Sequence, residues 1–214
     1  MTNLRDIFEN SKKEMFFKEL DYFRKLNDKQ KESLFYPGMI LSLAEYTNYP
    51  KEDARDLAIF SQVLYYSIEI HENIFKETEN ENNDLVILEG DHLYSKTFKK
   101  LTMSKHIKDI SKVTDYVKTY SEKRIMLIDG LLSEKEVLDY KYKQVSKLIT
   151  EIIAPDKEEL LEITAKLTDL YMLFLKDDIL FNGVKDKLIK DSKTNQPEEI
   201  QKIILDTIRS IGGE

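Results

Sequence analysis

Very little in this chain would stop a helix once it has started. Six glycines and four prolines serve 214 residues, and no run of alternating apolar and polar residues persists long enough to propose a strand. Apolar residues instead recur at helical spacing almost throughout. The expected fold class is all-α, as a single helical domain over residues 1–214, a length that suffices for one sizeable core.

Taken in order, Thr2 is placed to cap a first helix with an apolar stripe from Leu4 through Ile7, Phe8, Met15, Phe16 and Leu20 to Phe23. A short helix through Leu34 and Phe35 is expected to stop at Tyr36-Pro37-Gly38, because the residue before proline avoids the helical region. Met39 to Tyr46 reads as a further short helix, and Pro50 as the start of a longer one with Leu57, Phe60, Leu64, Ile68 and His71 on one face. The polar run Lys76 to Asn83 breaks it. Asn83 or Asp84 can cap the next helix, in whose middle sits Gly90, at a cost of about 1 kcal/mol relative to alanine. Close approach of a neighbouring helix would repay that cost. A long helix follows from Lys105 to Leu131, with Ile107, Ile110, Val113, Val117 and Met126 inward and Gly130 at its end. Ser133-Glu-Lys-Glu136 has the form of a capping box opening a helix to Ile153. After Ala154-Pro155-Asp156 comes an apolar helix ending near Phe181. The stretch Asn182 to Gln196 is polar, and Pro197 opens a last helix through Ile200, Ile203, Ile204, Ile208 and Ile211.

Composition narrows the function classes. Cysteine is absent, which removes disulfides, thiolate ligands and a cysteine nucleophile, and suits a reducing cytoplasm. The N-terminus carries acidic residues and no signal-peptide run. The longest apolar run, Leu170 to Leu175, falls far short of the ~20 residues of a membrane helix, so a soluble, cytoplasmic protein without a membrane span is expected. A formal charge of -7 argues against non-specific nucleic-acid binding, which needs a basic face. His71, His92 and His106 lie on separate predicted elements without the Glu-x-x-His spacing of di-iron bundles. The pair Asp177-Asp178 after an apolar helix face is either solvated surface or a site for Mg²⁺, which prefers oxygen ligands.

The order of three stretches resembles the trans-isoprenyl diphosphate synthases. They are Ile70-His-Glu-Asn-Ile-Phe75, Val86-Ile-Leu-Glu-Gly-Asp-His-Leu-Tyr-Ser-Lys-Thr-Phe98 and Leu170-Tyr-Met-Leu-Phe-Leu-Lys-Asp-Asp-Ile-Leu180. The resemblance, over roughly residues 55 to 181, is closer still to the small component of two-component heptaprenyl diphosphate synthases. It implies an isoprenoid-synthase-like bundle, truncated at the C-terminus, with the helices of His71 and Asp177 facing each other across a central cavity. In that family Mg²⁺ held between two Asp-Asp-x-x-Asp motifs neutralises the leaving diphosphate of an allylic substrate.

Against that pattern the site residues have been eroded. The first motif aligns with Glu72, Asn73 and Lys76, which puts an amide and an ammonium where carboxylates belong. In the second, Asp177 and Asp178 remain but Phe181 replaces the third aspartate and Phe174 the usual glutamine. The arginines that follow the first motif and the Gly-Lys-Arg stretch that grips isopentenyl diphosphate have no counterparts. Lys143 matches the family's Lys-Thr diphosphate contact, with Gln144 for threonine, and Gly90-Asp91 matches its Gly-Asp stretch. The resemblance therefore implies a catalytically deficient small subunit of a heterodimeric long-chain polyprenyl diphosphate synthase, typically serving the menaquinone side chain. Its partner would be a catalytic large subunit, which would hold the Mg²⁺ of the holoenzyme, with no cofactor bound by this chain alone. Leu64, Ile68, Phe75, Leu93 and Phe98 are candidates for an apolar tunnel or interface, and equally for plain core. The alternatives are a non-enzymatic all-α interaction protein or homodimer on the same fold, and a divergent synthase using Asp177, Asp178, Glu72 and Asp91 with Mg²⁺.

Overall fold

Among the described residues, the first helix opens at a proline. In the computed structural model, which describes residues 33–74 and 83–211 together with Asp6, helix α1 spans Phe35–Thr47. Pro37 is its third residue, where a missing amide costs nothing because the first turn has no carbonyl to bond to. The Gly38 amide makes the first intrahelical bond, to Leu34 O at 2.8 Å. The sequence reading took Pro-Gly as a stop and divided this segment in two; the same residues open one helix. The stripe from Leu4 to Phe23, together with Phe75, Lys76 and the final glycines, lies outside the described residues.

Helix α2 (Lys51–Ile74) is the axis of the bundle, and α1 and α3 (Asn83–Met103) pack along it. Its middle turns are buried all round, with Leu64, Tyr65, Tyr66, Ile68 and Ile70 at 5% exposure or less. A 3₁₀ turn (Lys105–Asp109) leads into α4 (Ile110–Ile128), followed by α5 (Glu134–Ile153), α6 (Glu158–Leu175), α7 (Phe181–Asn195) and α8 (Glu198–Ile211). Helix α5 packs on α4 and α6, and α8 returns to cover α1. Every element among the described residues is helical, as the composition requires.

Local signals account for most boundaries. The Ser133 hydroxyl accepts from the Glu136 amide while the Glu136 carboxylate accepts from the Ser133 amide, closing the capping box that starts α5. Gly130, at φ 72°, takes the left-handed position that ends α4, and Leu131 N reaches back to Met126 O at 2.8 Å. Three expectations need correction. The helix expected from Lys105 starts as a 3₁₀ turn, because the Ser104 hydroxyl caps the His106 amide; its threefold repeat turns His106 and Asp109 inward and leaves Ile107 57% exposed. Met126 is 38% exposed rather than buried, since the inward stripe of α4 is Val113, Tyr116 and Tyr120. Finally, the helix expected to end near Phe181 ends at Leu175, and the polar stretch after Phe181 is helix α7.

The stop at Leu175 is made by the acidic pair. Asp177 adopts φ 53°, a left-handed conformation that Asp tolerates better than most residues, and Asp178 N bonds back to Leu173 O at 3.0 Å. The Asp178 carboxylate accepts from the Leu180 amide at 2.9 Å, which holds the turn just before the next helix.

Gly90 is explained by the helix beside it. A Cβ at this position would fall 2.3 Å from His71 Nε2, and the Ser67 hydroxyl bonds Gly90 O at 3.2 Å, so α2 and α3 cross almost backbone to side chain here. Replacing Gly90 by alanine adds helix propensity but overpacks the crossing. G90A is expected to lose about 1–3 kcal/mol in urea unfolding, and H71A/G90A to regain most of it; a G90A chain as stable as the parent would contradict the close crossing.

Candidate functional site: a buried charge clamp between α2 and α5

Glu69 and Glu72 stand one turn apart on the same face of α2, at 1% and 4% exposure. Two ionised carboxylates inside a core cost several kcal/mol each unless a cation meets them. Lys141 of α5 supplies it. Its position follows from the α5 pattern, where Val137, Lys141 and Val145 succeed one another at four-residue spacing on the buried stripe. The Lys141 ammonium pairs with Glu69 Oε1 and lies 2.6 Å from Glu72 Oε2. Tyr142 donates to Glu69 at 3.2 Å and Tyr120 donates to Glu72. The Tyr116 hydroxyl bonds Lys141 O at 3.0 Å, fixing the α5 backbone against α4.

The electrostatics of this centre are settled by proximity rather than by solvent. Burial pushes the Lys141 ammonium toward deprotonation, but Glu69 and Glu72 outweigh it and raise its pKa above the usual lysine range. For Glu72 burial pulls upward, while Lys141, the Tyr120 hydrogen bond and the Arg124 charge pull further downward, so its carboxyl is held below the ordinary value. Around the clamp lies a cage of phenols. Tyr36, Tyr65 and Tyr171 pack with Phe35, the Tyr171 ring stacked on Phe35 at 4.3 Å and its hydroxyl donating to Tyr65 at 3.1 Å. Burial raises their pKa values, that of Tyr171 to about 12. These directions favour a charged Lys141 and Glu72 beside neutral tyrosines. The lysine–carboxylate contacts tie α2 to α5 through charge as well as packing.

The sequence-derived site residues are distributed as follows. Glu72 is in the clamp. Asn73 belongs to the last turn of α2, and Asp177 and Asp178 form the turn after α6 with Phe181 opening α7. Leu64, Ile68 and Leu93 are core residues, and Phe98 is partly buried against that core. Gly90 forms the α2–α3 crossing, and Asp91, largely exposed, faces His71 Nε2 at 3.6 Å. Burial lowers the His71 pKa, against the opposing charge of Asp91. The three histidines do not converge: His92 is exposed, and His106 is buried elsewhere, stacked on Tyr49 with Nε2 3.1 Å from Asp53 O. Lys143 points outward, 2.8 Å from Asp169 and 3.8 Å from Asp139. The lysine that reaches the interior is Lys141, two residues earlier. Sequence reasoning passed over it together with Glu69 and Tyr120, although a lysine at the centre of an apolar stripe was a visible signal.

Where the described residues of α2 and α6 meet, close packing takes the place of the central cavity expected between the helices of His71 and Asp177. Tyr65 of α2 and Tyr171 of α6 meet hydroxyl to hydroxyl, and the space lined by Tyr36, Leu64, Ile68 and Lys141 amounts to about 10 Å³, one water's worth. A roomier groove of about 800 Å³, lined among others by Leu41, Tyr49, Pro50, Lys202 and Arg209, lies away from every one of these residues. There Lys202 pairs with Glu45 at 2.5 Å and Arg209 with Asp206 at 3.1 Å. Among the described residues, two of the carboxylates expected at a Mg²⁺ site are engaged elsewhere. The Glu72 carboxylate is taken by Lys141 and Tyr120, that of Asp178 bonds an amide, and among the described residues no three His, Asp or Glu side chains gather as metal ligands do.

The chain matches no protein-family model, no curated protein and no solved structure.

Removing one member of the clamp strands the others. K141M is expected to cost about 3–5 kcal/mol in urea unfolding, and K141M/E69L/E72L to recover more than half of it, because no charge is then left buried. Equal losses in both would show that the lysine matters only for packing. The pH response has a defined sign. A depressed Glu72 pKa contributes stability that is complete above the unfolded-state value of about 4.3 and is lost as pH falls through the lower folded-state value. Melting temperature should therefore drop steeply below that pH, and less steeply in E72Q.

Proposed function

We propose that this chain is the catalytically deficient small subunit of a heterodimeric long-chain trans-polyprenyl diphosphate synthase of the heptaprenyl type, supporting elongation for a menaquinone side chain. The motif order from Ile70 to Leu180 supports the family reading. The observation that carries the deficiency is the occupation of Glu72. The one carboxylate remaining at the start of the eroded first motif is already neutralised by a lysine of the same chain. A carboxylate committed in this way offers nothing to a metal–diphosphate pair, and the loss of such charge stabilisation lowers turnover by about 10²- to 10³-fold per donor. In this reading the Mg²⁺ and the intact aspartate motifs belong to the large subunit.

A need for a partner is supported by the surface. Ile125, Ile128 and Leu131 at the end of α4 are each 59–68% exposed, and Leu88 at the start of α3 is 63% exposed. Adjacent exposed apolar side chains of this size commonly mark contact surfaces. In this reading Leu64 and Ile68, beside a space of about 10 Å³, pack as core, and the exposed apolar side chains meet the large subunit.

The purified chain, given farnesyl diphosphate, isopentenyl diphosphate and Mg²⁺, is expected to show no elongation alone and long-chain product once the matching large subunit is added. I125S/I128S should weaken that reconstitution at least tenfold while leaving the melting temperature unchanged. Turnover by the isolated chain would replace this reading by a divergent synthase. Inactivity in the mixture without complex formation would leave an interaction protein that keeps the fold.

A further inference from the structure

The -7 charge of this protein is unevenly spread. Between Asp91 and Asp115 the sequence holds six lysines and one acid, Asp109, which is 4% exposed. The fold gathers this segment into a tip, where α3 turns through the 3₁₀ helix into α4. Lys99, Lys100, Lys105, Lys108 and Lys112 are all exposed there, Lys112 with its ammonium 3.8 Å from Asp109. Lys105 is 80% exposed even while 3.3 Å from Asp53, and the Asp53 carboxylate itself is mostly buried. The facing first turns of α2 carry both signs, Lys51 and Arg55 against Glu52 and Asp56, so they leave the positive excess standing.

Two large apolar side chains project from the same tip. Met103 is 79% and Ile107 57% exposed. Their exposure is imposed by local geometry. The 3₁₀ repeat of three places His106 and Asp109 inward together, and His106 is pinned there by its stack on Tyr49 and its 3.1 Å contact with Asp53 O. Ile107, lying between them, has to face out. The apolar pair is therefore held on a rigid turn, at no further ordering cost when it is buried.

We propose that this tip is a docking surface for an anionic lipid bilayer, with Met103 and Ile107 entering the headgroup boundary and the five lysines meeting acidic headgroups. Lysines near an anionic membrane contribute about 1 kcal/mol each, and shallow apolar insertion adds the second signal that stable peripheral binding requires. A purely polyanionic partner would satisfy the lysines but leave both apolar side chains in water. The acidic remainder of the protein is repelled by the same membrane, so the chain docks tip first. This surface is independent of the enzymatic reading above and stands or falls separately.

Flotation with vesicles of phosphatidylcholine alone, and of phosphatidylcholine with one-third phosphatidylglycerol, tests it at low and at physiological salt. Binding is expected to the anionic vesicles only and to weaken with salt. K99Q/K108Q, which touches two exposed side chains, should lower the partition about fivefold per lysine, and M103S/I107S at least tenfold. Equal binding to both vesicle types, or to neither, overturns the proposal. So does tight binding of a DNA duplex that K99Q/K108Q abolishes and M103S/I107S leaves intact, which would assign the tip to a polyanion.

Discussion

Everything inside this bundle is arranged to let one lysine stay charged. Lys141 enters the core with two carboxylates waiting, and each of those carboxylates finds a phenol as its second partner. The arrangement joins α2, α4 and α5 by directional contacts, which apolar packing alone would not specify so narrowly. Sliding α5 by one turn would bury an ammonium without a counter-ion and two carboxylates without a cation, a penalty of several kcal/mol that fixes the register. The tyrosines around the clamp extend the same logic, since each buried hydroxyl needs a partner and so restricts how α1 and α6 can approach.

The fold was largely legible in the sequence where local chemistry sets it. The capping box at Ser133, the glycine stop at Gly130 and the final helix after Pro197 depend on neighbours a few residues away, and those boundaries fall where the pattern put them. Pro37 lends itself to either reading because proline–glycine has two opposite local meanings, and the helix start is held by contacts that include the bond from Leu34 N to Ser210 O at 3.1 Å, far away in sequence. The 3₁₀ turn was hidden for a related reason. Lys105 to Asp109 has acceptable helical spacing, and a single serine hydroxyl changes its periodicity.

The candidate site was far less legible. Glu72 drew attention through its motif position, but its partner lies 69 residues away on a helix whose lysines were judged by motif alignment. Lys141 and Lys143 differ by two residues, which on a helix is a half-turn, so the alignment selected the lysine on the outside. The basic tip is visible as a lysine-rich stretch with a single acid, yet the overall charge conceals it, because net charge averages over surfaces that point in different directions.

The seam between α1 and α8 has a consequence for how the chain is made. A Cβ at Gly38 would meet the Ser210 side chain at 2.2 Å, so the first and last described helices lie as close as backbones allow. Contacts joining such distant parts of the sequence form late and slowly. During translation the face of α1 around Gly38 goes without its α8 cover until Ser210 has emerged, and in that interval the nascent chain is more adhesive than the finished fold.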